Sequence, residues 1–75
     1  MTDTRAAFAA ILRYLSPRGL THADIAAAVG ADVGTVSRWM RGAARPEAGN
    51  LTDLLLALGA DDEARTVATW LWRRA

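Results

Sequence analysis

Cysteine is absent from the 75 residues, which excludes disulfide frameworks, thiolate zinc sites and cysteine nucleophiles. Histidine occurs once, as His22. That supply argues against a metal centre or a histidine-dependent triad, so no metal or cofactor is expected. Lysine is missing, and all nine basic residues are arginine. No apolar run approaches the roughly 20 residues of a membrane-spanning helix. The start, Met1-Thr2-Asp3-Thr4, has neither the basic opening nor the apolar stretch of a signal peptide, and the expected address is the cytoplasm. Strand signals are lacking too: no sustained alternation of β-branched and polar residues and no Asn-Gly or Asp-Gly hairpin turn. What is present is 52% apolar residues, too many for a disordered tail, in a length that fits one small domain.

The net charge of +1 is too small to indicate a polyanionic partner by itself. Arginine offers a planar fork suited to phosphate and to guanine edges, although an arginine-only, alanine-rich composition is equally what a GC-rich genome produces. Position is more informative. Arg38, Arg41 and Arg45 cluster, opposed locally by Asp32 and Glu47, while Asp61, Asp62 and Glu63 sit far down the chain. The charge is segregated, as a binding face requires.

Five short helices are expected. Phe8, Ile11, Leu12 and Leu15 recur at i, i+3, i+4 and i+7, a single stripe. Thr2, Asp3 or Thr4 can cap that helix, and Ser16-Pro17-Arg18-Gly19 ends it. The second opens with Thr21 as cap, Asp24 completing a capping box, and Leu20 and Ile25 placed as a hydrophobic staple; it stops at Gly30. Asp32 caps the third, which carries Val36, Trp39 and Met40 inward and closes at Gly42. The fourth holds Leu51, Leu54, Leu55 and Leu58 and ends at Gly59. Asp61 or Asp62 caps the fifth, at about 62–74. The fold class is therefore all-α, a compact five-helix bundle.

The stretch from 21 to 41 carries the functional information. Two helices of about eight residues each that cross at roughly 90–120° over a short turn need one residue with positive φ, supplied by Gly30. They need a small residue where the helices approach, Ala26, and apolar inward positions, met by Ile25, Val29, Ala31, Val36 and Trp39. This pattern is a helix-turn-helix. At about 100° per residue, Gly34, Ser37, Arg38 and Arg41 face away from Val36, Trp39 and Met40. Such a face is either an ordinary solvated surface or, after a complete helix-turn-helix joint, a surface for nucleic acid.

The run Leu20-Thr21-His22-Ala23-Asp24-Ile25-Ala26, followed by Val29-Gly30 and Thr35-Val36-Ser37-Arg38-Trp39-Met40-Arg41-Gly42, resembles the Cro/CI-repressor-like (Xre) helix-turn-helix family. Arg45-Pro46 and Asn50-Leu51-Thr52-Asp53-Leu54-Leu55 follow at that family's offsets. The resemblance implies a lambda-repressor-like domain whose third helix lies in the major groove of double-stranded DNA, usually as a homodimer and as a transcriptional repressor. It assigns Asp32, Val33, Gly34, Ser37 and Arg38 to base-facing positions and Thr21, His22, Arg41 and Arg45 to the sugar–phosphate backbone. His22 stands where glutamine often opens the second helix. Val33 suits a thymine methyl and Gly34 offers only backbone, so direct readout rests mainly on Arg38.

In the last helix, Ala64, Val67, Ala68, Trp70 and Leu71 share a broad face expected to cover the core, which puts Trp72 on another side beside Arg73 and Arg74. Trp70 and Trp72 are candidate interface residues, and Trp72 can equally seal the end of the domain. The acids at 61–63 favour the positive end of that helix more readily than they form a cation site. An alternative function is a protein-interaction module, such as an antitoxin-like partner that binds another protein through the Trp-rich last helix. An enzyme is not expected, because His22, Asp24 and Ser37 form no triad-like grouping.

Overall fold

Acceptor side chains start four of the five helices in the computed structural model, which describes residues 3–75. The order is α1 (Thr4–Leu15), α2 (His22–Val29), α3 (Val33–Arg41), α4 (Ala48–Ala57) and α5 (Asp62–Arg74). There is no strand among the described residues. No described helix is long and apolar enough to cross a membrane.

The caps satisfy amides that a helix start leaves without partners. The Asp3 carboxylate accepts the N–H groups of Arg5 and Ala6, both at 3.1 Å. Of the other two candidates, Thr2 lies outside the described residues. Thr4 lies inside the helix and uses its hydroxyl to donate to the Arg74 carbonyl at 2.7 Å. Thr21 and Asp24 form the expected reciprocal box: Thr21 Oγ1 accepts from Asp24 N–H at 3.1 Å, and Asp24 Oδ2 accepts from Thr21 N–H at 3.0 Å. Asp61 caps α5 by accepting from Ala64 N–H at 2.8 Å.

The inward stripes meet in one core. Phe8 and Leu12 of α1, Ile25 and Val29 of α2, Val36, Trp39 and Met40 of α3, and Leu51, Leu54 and Leu55 of α4 are all buried. Each large apolar side chain taken from water contributes on the order of 1.5–3 kcal/mol. No polar or charged side chain is buried among the described residues. Leu20 is partly buried and packs against the core to which Ile25 belongs.

The fifth helix departs from expectation. Its residue of zero exposure is Ala68, with Leu71, Trp72 and Ala75 packed beside it, whereas Val67 and Trp70 face solvent. The covering face is therefore turned about the helix axis relative to the one expected. Two physical terms explain it. The small side chain of Ala68 lets α5 pack closely on α1. A covered indole also needs an acceptor for its N–H, and Trp72 has one: Nε1 donates to the Pro46 carbonyl at 2.6 Å.

Candidate nucleic-acid interface

The turn between α2 and α3 is built on Gly30, whose φ of 73° lies in the left-handed region that a side chain disfavours. This lets the amides of both Gly30 and Ala31 reach the Ala26 carbonyl, closing α2 within one residue. The chain extends at Asp32 (φ −89°, ψ 162°) and re-enters a helix at once. Ile25, Ala26 and Val29 on one side and Val36 and Trp39 on the other are buried against this joint. The crossing of α2 and α3 is thus fixed by packing as well as by the turn.

With its apolar side engaged, α3 presents Asp32, Val33, Gly34, Arg38 and Arg41 to solvent, while Ser37 is half-buried. These side chains are linked locally. Asp32 Oδ1 accepts from Thr35 N–H at 2.7 Å, and Thr35 Oγ1 accepts from Arg38 Nη2 at 3.0 Å. A Cβ on Gly34 would lie 3.3 Å from Asp32 Oδ1 and 3.6 Å from Arg38 Nη1. Gly34 is thus the gap across which carboxylate and guanidinium approach. The Thr35 amide, with its hydroxyl and then the Arg38 charge assisting, holds the Asp32 carboxyl below the usual carboxylate range. Arg41 Nε donates to the Ser37 carbonyl at 3.3 Å. Among the described residues the one ion pair joins Asp62 and Arg65, so neither Arg38 nor Arg41 is neutralised by an internal pair.

Behind this ridge, Arg13 of α1 donates to the Met40 carbonyl at 2.7 Å and braces the last turn of α3. Thr21 is exposed at the start of α2 and His22 is half-buried. Arg45, in the loop before α4, is exposed. It donates to the Trp72 carbonyl at 2.7 Å and lies over the Trp72 ring at 4.8 Å from its centroid.

Thr35, Arg13 and the Arg45–Trp72 contact are absent from the residues singled out by sequence. Thr35 and Arg38 are three apart on a helix, a spacing that signals such a contact. The other two join residues 27 apart, and no local pattern marks them.

The geometry is an exposed helix whose guanidinium groups stand on a rigid joint. A family model described as a helix-turn-helix domain matches residues 4–68. No curated protein and no solved structure matches the chain. With that match over most of its length and with the joint present in its structure, the chain belongs to the helix-turn-helix domain family, in which such a joint serves DNA binding.

Proposed function

We propose that this protein is a sequence-specific regulator of transcription of the Xre type, a repressor that binds double-stranded DNA as a homodimer with α3 in the major groove. The observation that carries this reading is the unpaired, exposed state of Arg38 and Arg41 on a helix whose opposite side is locked into the core. Arg38 is the principal reader, its fork matched to guanine O6 and N7. Asp32, Val33, Gly34 and Ser37 are the other base-facing positions. Val33, 49% exposed, is an apolar surface placed for a thymine methyl. Thr21, His22, Arg41 and Arg45 contact phosphates and set the register of the helix in the groove. Thr21 keeps its hydroxyl proton for a phosphate oxygen while its oxygen caps α2.

One principal reader gives limited discrimination, and two copies on a two-fold site double it. Repression follows from occupancy alone, since a domain seated on a promoter excludes other proteins from it.

The experiment is selection from random duplexes at fixed salt, followed by titration of the selected site. A two-fold motif is expected, with affinity falling steeply as salt rises. Arg38→Ala should weaken binding by about 1–3 kcal/mol and relax one base position, whereas Arg41→Ala should weaken all sequences alike. An Arg38→Ala protein with unchanged affinity and base preference would disprove the assignment of α3 as the reading helix.

A further inference from the structure

α4 rests on α2, and α5 rests on α1. The short link after Ala57 joins the end of α4 to the start of α5. Trp72, near the end of α5, bonds to the Pro46 carbonyl just before α4, so the two helices run antiparallel. Between them lies an open groove of about 380 Å³. Leu51 and Leu55 form its floor, at 5% and 3% exposure, and Leu56 stands on the α4 lip at 61%. Trp72 closes one end, Arg65 and Arg73 are on the α5 lip, and no acid is among the lining residues.

We propose that this groove receives an amphipathic α-helix of another protein, one that carries two acidic side chains about two turns apart with apolar side chains between them. Arg65 and Arg73 are eight residues apart, about 12 Å along α5. Two carboxylates seven or eight residues apart on a helix lying along the groove have that separation. Across from the stretch between the two arginines lie Leu51, Leu55 and Leu56, and apolar side chains buried against them supply the affinity. Arg73 has no acid partner among the described residues. The pair of Arg65 with Asp62 is exposed, so little is lost when a second carboxylate shares the guanidinium. Trp72 is fixed by Pro46 and by the Arg45 guanidinium stacked on its ring, so the end wall is formed before binding.

Other occupants fit less well. A small amphiphile with one carboxylate meets only one of the two arginines. Nucleic acid finds a leucine floor that bonds no phosphate. A second copy of this chain is unsuited, since none of its five helices carries two acids at that spacing. The groove shares no residue with the DNA-facing surface of α3, so its occupancy is a function beyond DNA contact.

The test is a magnetic-resonance titration of the isotope-labelled full chain with a synthetic peptide of about 16 residues, long enough to hold some helix. The peptide is alanine-rich, with two Glu seven positions apart and Leu three and four positions after the first. Amide signals of Leu51, Leu56, Thr69 and Arg73 should move and saturate at about 0.1–1 mM peptide, while those of Arg38 and Arg41 stay in place. The double variant Arg65→Glu/Arg73→Glu should weaken the complex roughly tenfold and should prefer the same peptide with Lys for Glu. Arg73→Gln should give an intermediate loss. Leu56→Ser should also weaken binding, and its exposure should leave the fold intact, as circular dichroism checks for every variant. Absence of saturating shifts up to about 1 mM would overturn the proposal. Equal binding of the Glu and Lys peptides by the wild type would overturn it too, because the arginines would then recognise nothing. Groove signals that move with decanoate and not with the peptide would make the occupant a small amphiphile instead. Groove signals that move on dilution of the free protein would make it a second copy, and either result would overturn the proposal.

Discussion

The guanidinium of Arg45 lies 4.8 Å from the centroid of the Trp72 ring and donates a 2.7 Å hydrogen bond to the Trp72 carbonyl. In return the Trp72 indole N–H donates to the carbonyl of Pro46, next in the same loop. The C-terminal turn of α5 is thereby latched onto the segment that leads from α3 to α4. Arg45 is also a proposed phosphate contact, and its placement depends on the C-terminal turn of α5.

The latch has a measurable strength. Trp72→Phe keeps an aromatic ring for Arg45 but deprives the Pro46 carbonyl of its donor. The expected loss is about 1–2 kcal/mol of stability, read as a lower urea midpoint at an unchanged slope. Arg45→Ala removes a stacking contact and an exposed hydrogen bond whose carbonyl water can take over, and should lose less, roughly 0.5–1 kcal/mol. A Trp72→Phe midpoint equal to the wild type would mean that the hydrogen bond does not form in solution.

Thr35 positions the proposed reader. Thr35→Val preserves shape and removes the oxygen that accepts from Arg38 Nη2. The fold should survive, because the cap bond uses the Thr35 amide and not its side chain. Discrimination at the base read by Arg38 should fall by less than for Arg38→Ala, on the order of 1 kcal/mol, since one neutral-acceptor hydrogen bond is at stake. Competition titrations with matched and single-mismatch duplexes measure it.

Two helix-ending glycines should respond differently to alanine. Gly30 and Gly42 both have positive φ, 73° and 78°, where a Cβ adds roughly 1–2 kcal/mol of strain. A Cβ at Gly30 meets nothing within 4 Å, but at Gly42 it would lie 3.3 Å from the Arg5 carbonyl oxygen and 3.4 Å from Ala6 Cα. Both contacts are with α1 backbone, which yields poorly. Gly42→Ala should therefore lower the melting temperature more than Gly30→Ala. Equal losses would show that α1 shifts away freely.

Acid should destabilise the fold through two capping carboxylates. Asp24 is held below its ordinary range by the Thr21 amide and then the Thr21 hydroxyl, and Asp32 by the corresponding groups of Thr35. A carboxyl that gives up its proton more readily when folded contributes stability above the unfolded value of about 3.9. That contribution is lost as pH falls through the folded value. Urea midpoints at about pH 7 and 5 should agree, and those near pH 3 should drop. Asp24→Asn and Asp32→Asn should each show a smaller drop than the wild type. A wild-type midpoint unchanged near pH 3 would contradict the cap assignments.

Much of the fold was legible because its signals are local. Thr21 and Asp24 are three residues apart, and their reciprocal bonds form as the helix forms. Gly30, flanked by Val29 and Ala31, marks the turn with little help from elsewhere, and the spacing of Val36, Trp39 and Met40 fixes which side of α3 is covered and so which side Arg38 and Arg41 occupy. The fifth helix was less legible. Its apolar residues spread over an arc of about 200°, from Trp70 through Val67 and Leu71 to Trp72, so periodicity did not select one narrow face.

Amino-acid order alone determined where α2 and α3 start and stop, that they form a helix-turn-helix, and that Arg38 and Arg41 face outward, because each depends on backbone amides and side chains within a few residues. Tertiary structure decided that Trp72 turns in and Trp70 out, that Arg13 braces Met40, and that Arg45 is latched to α5. Those outcomes depend on which distant carbonyl each donor meets and on how closely Ala68 lets one helix approach another, and neither is set until the whole core has closed.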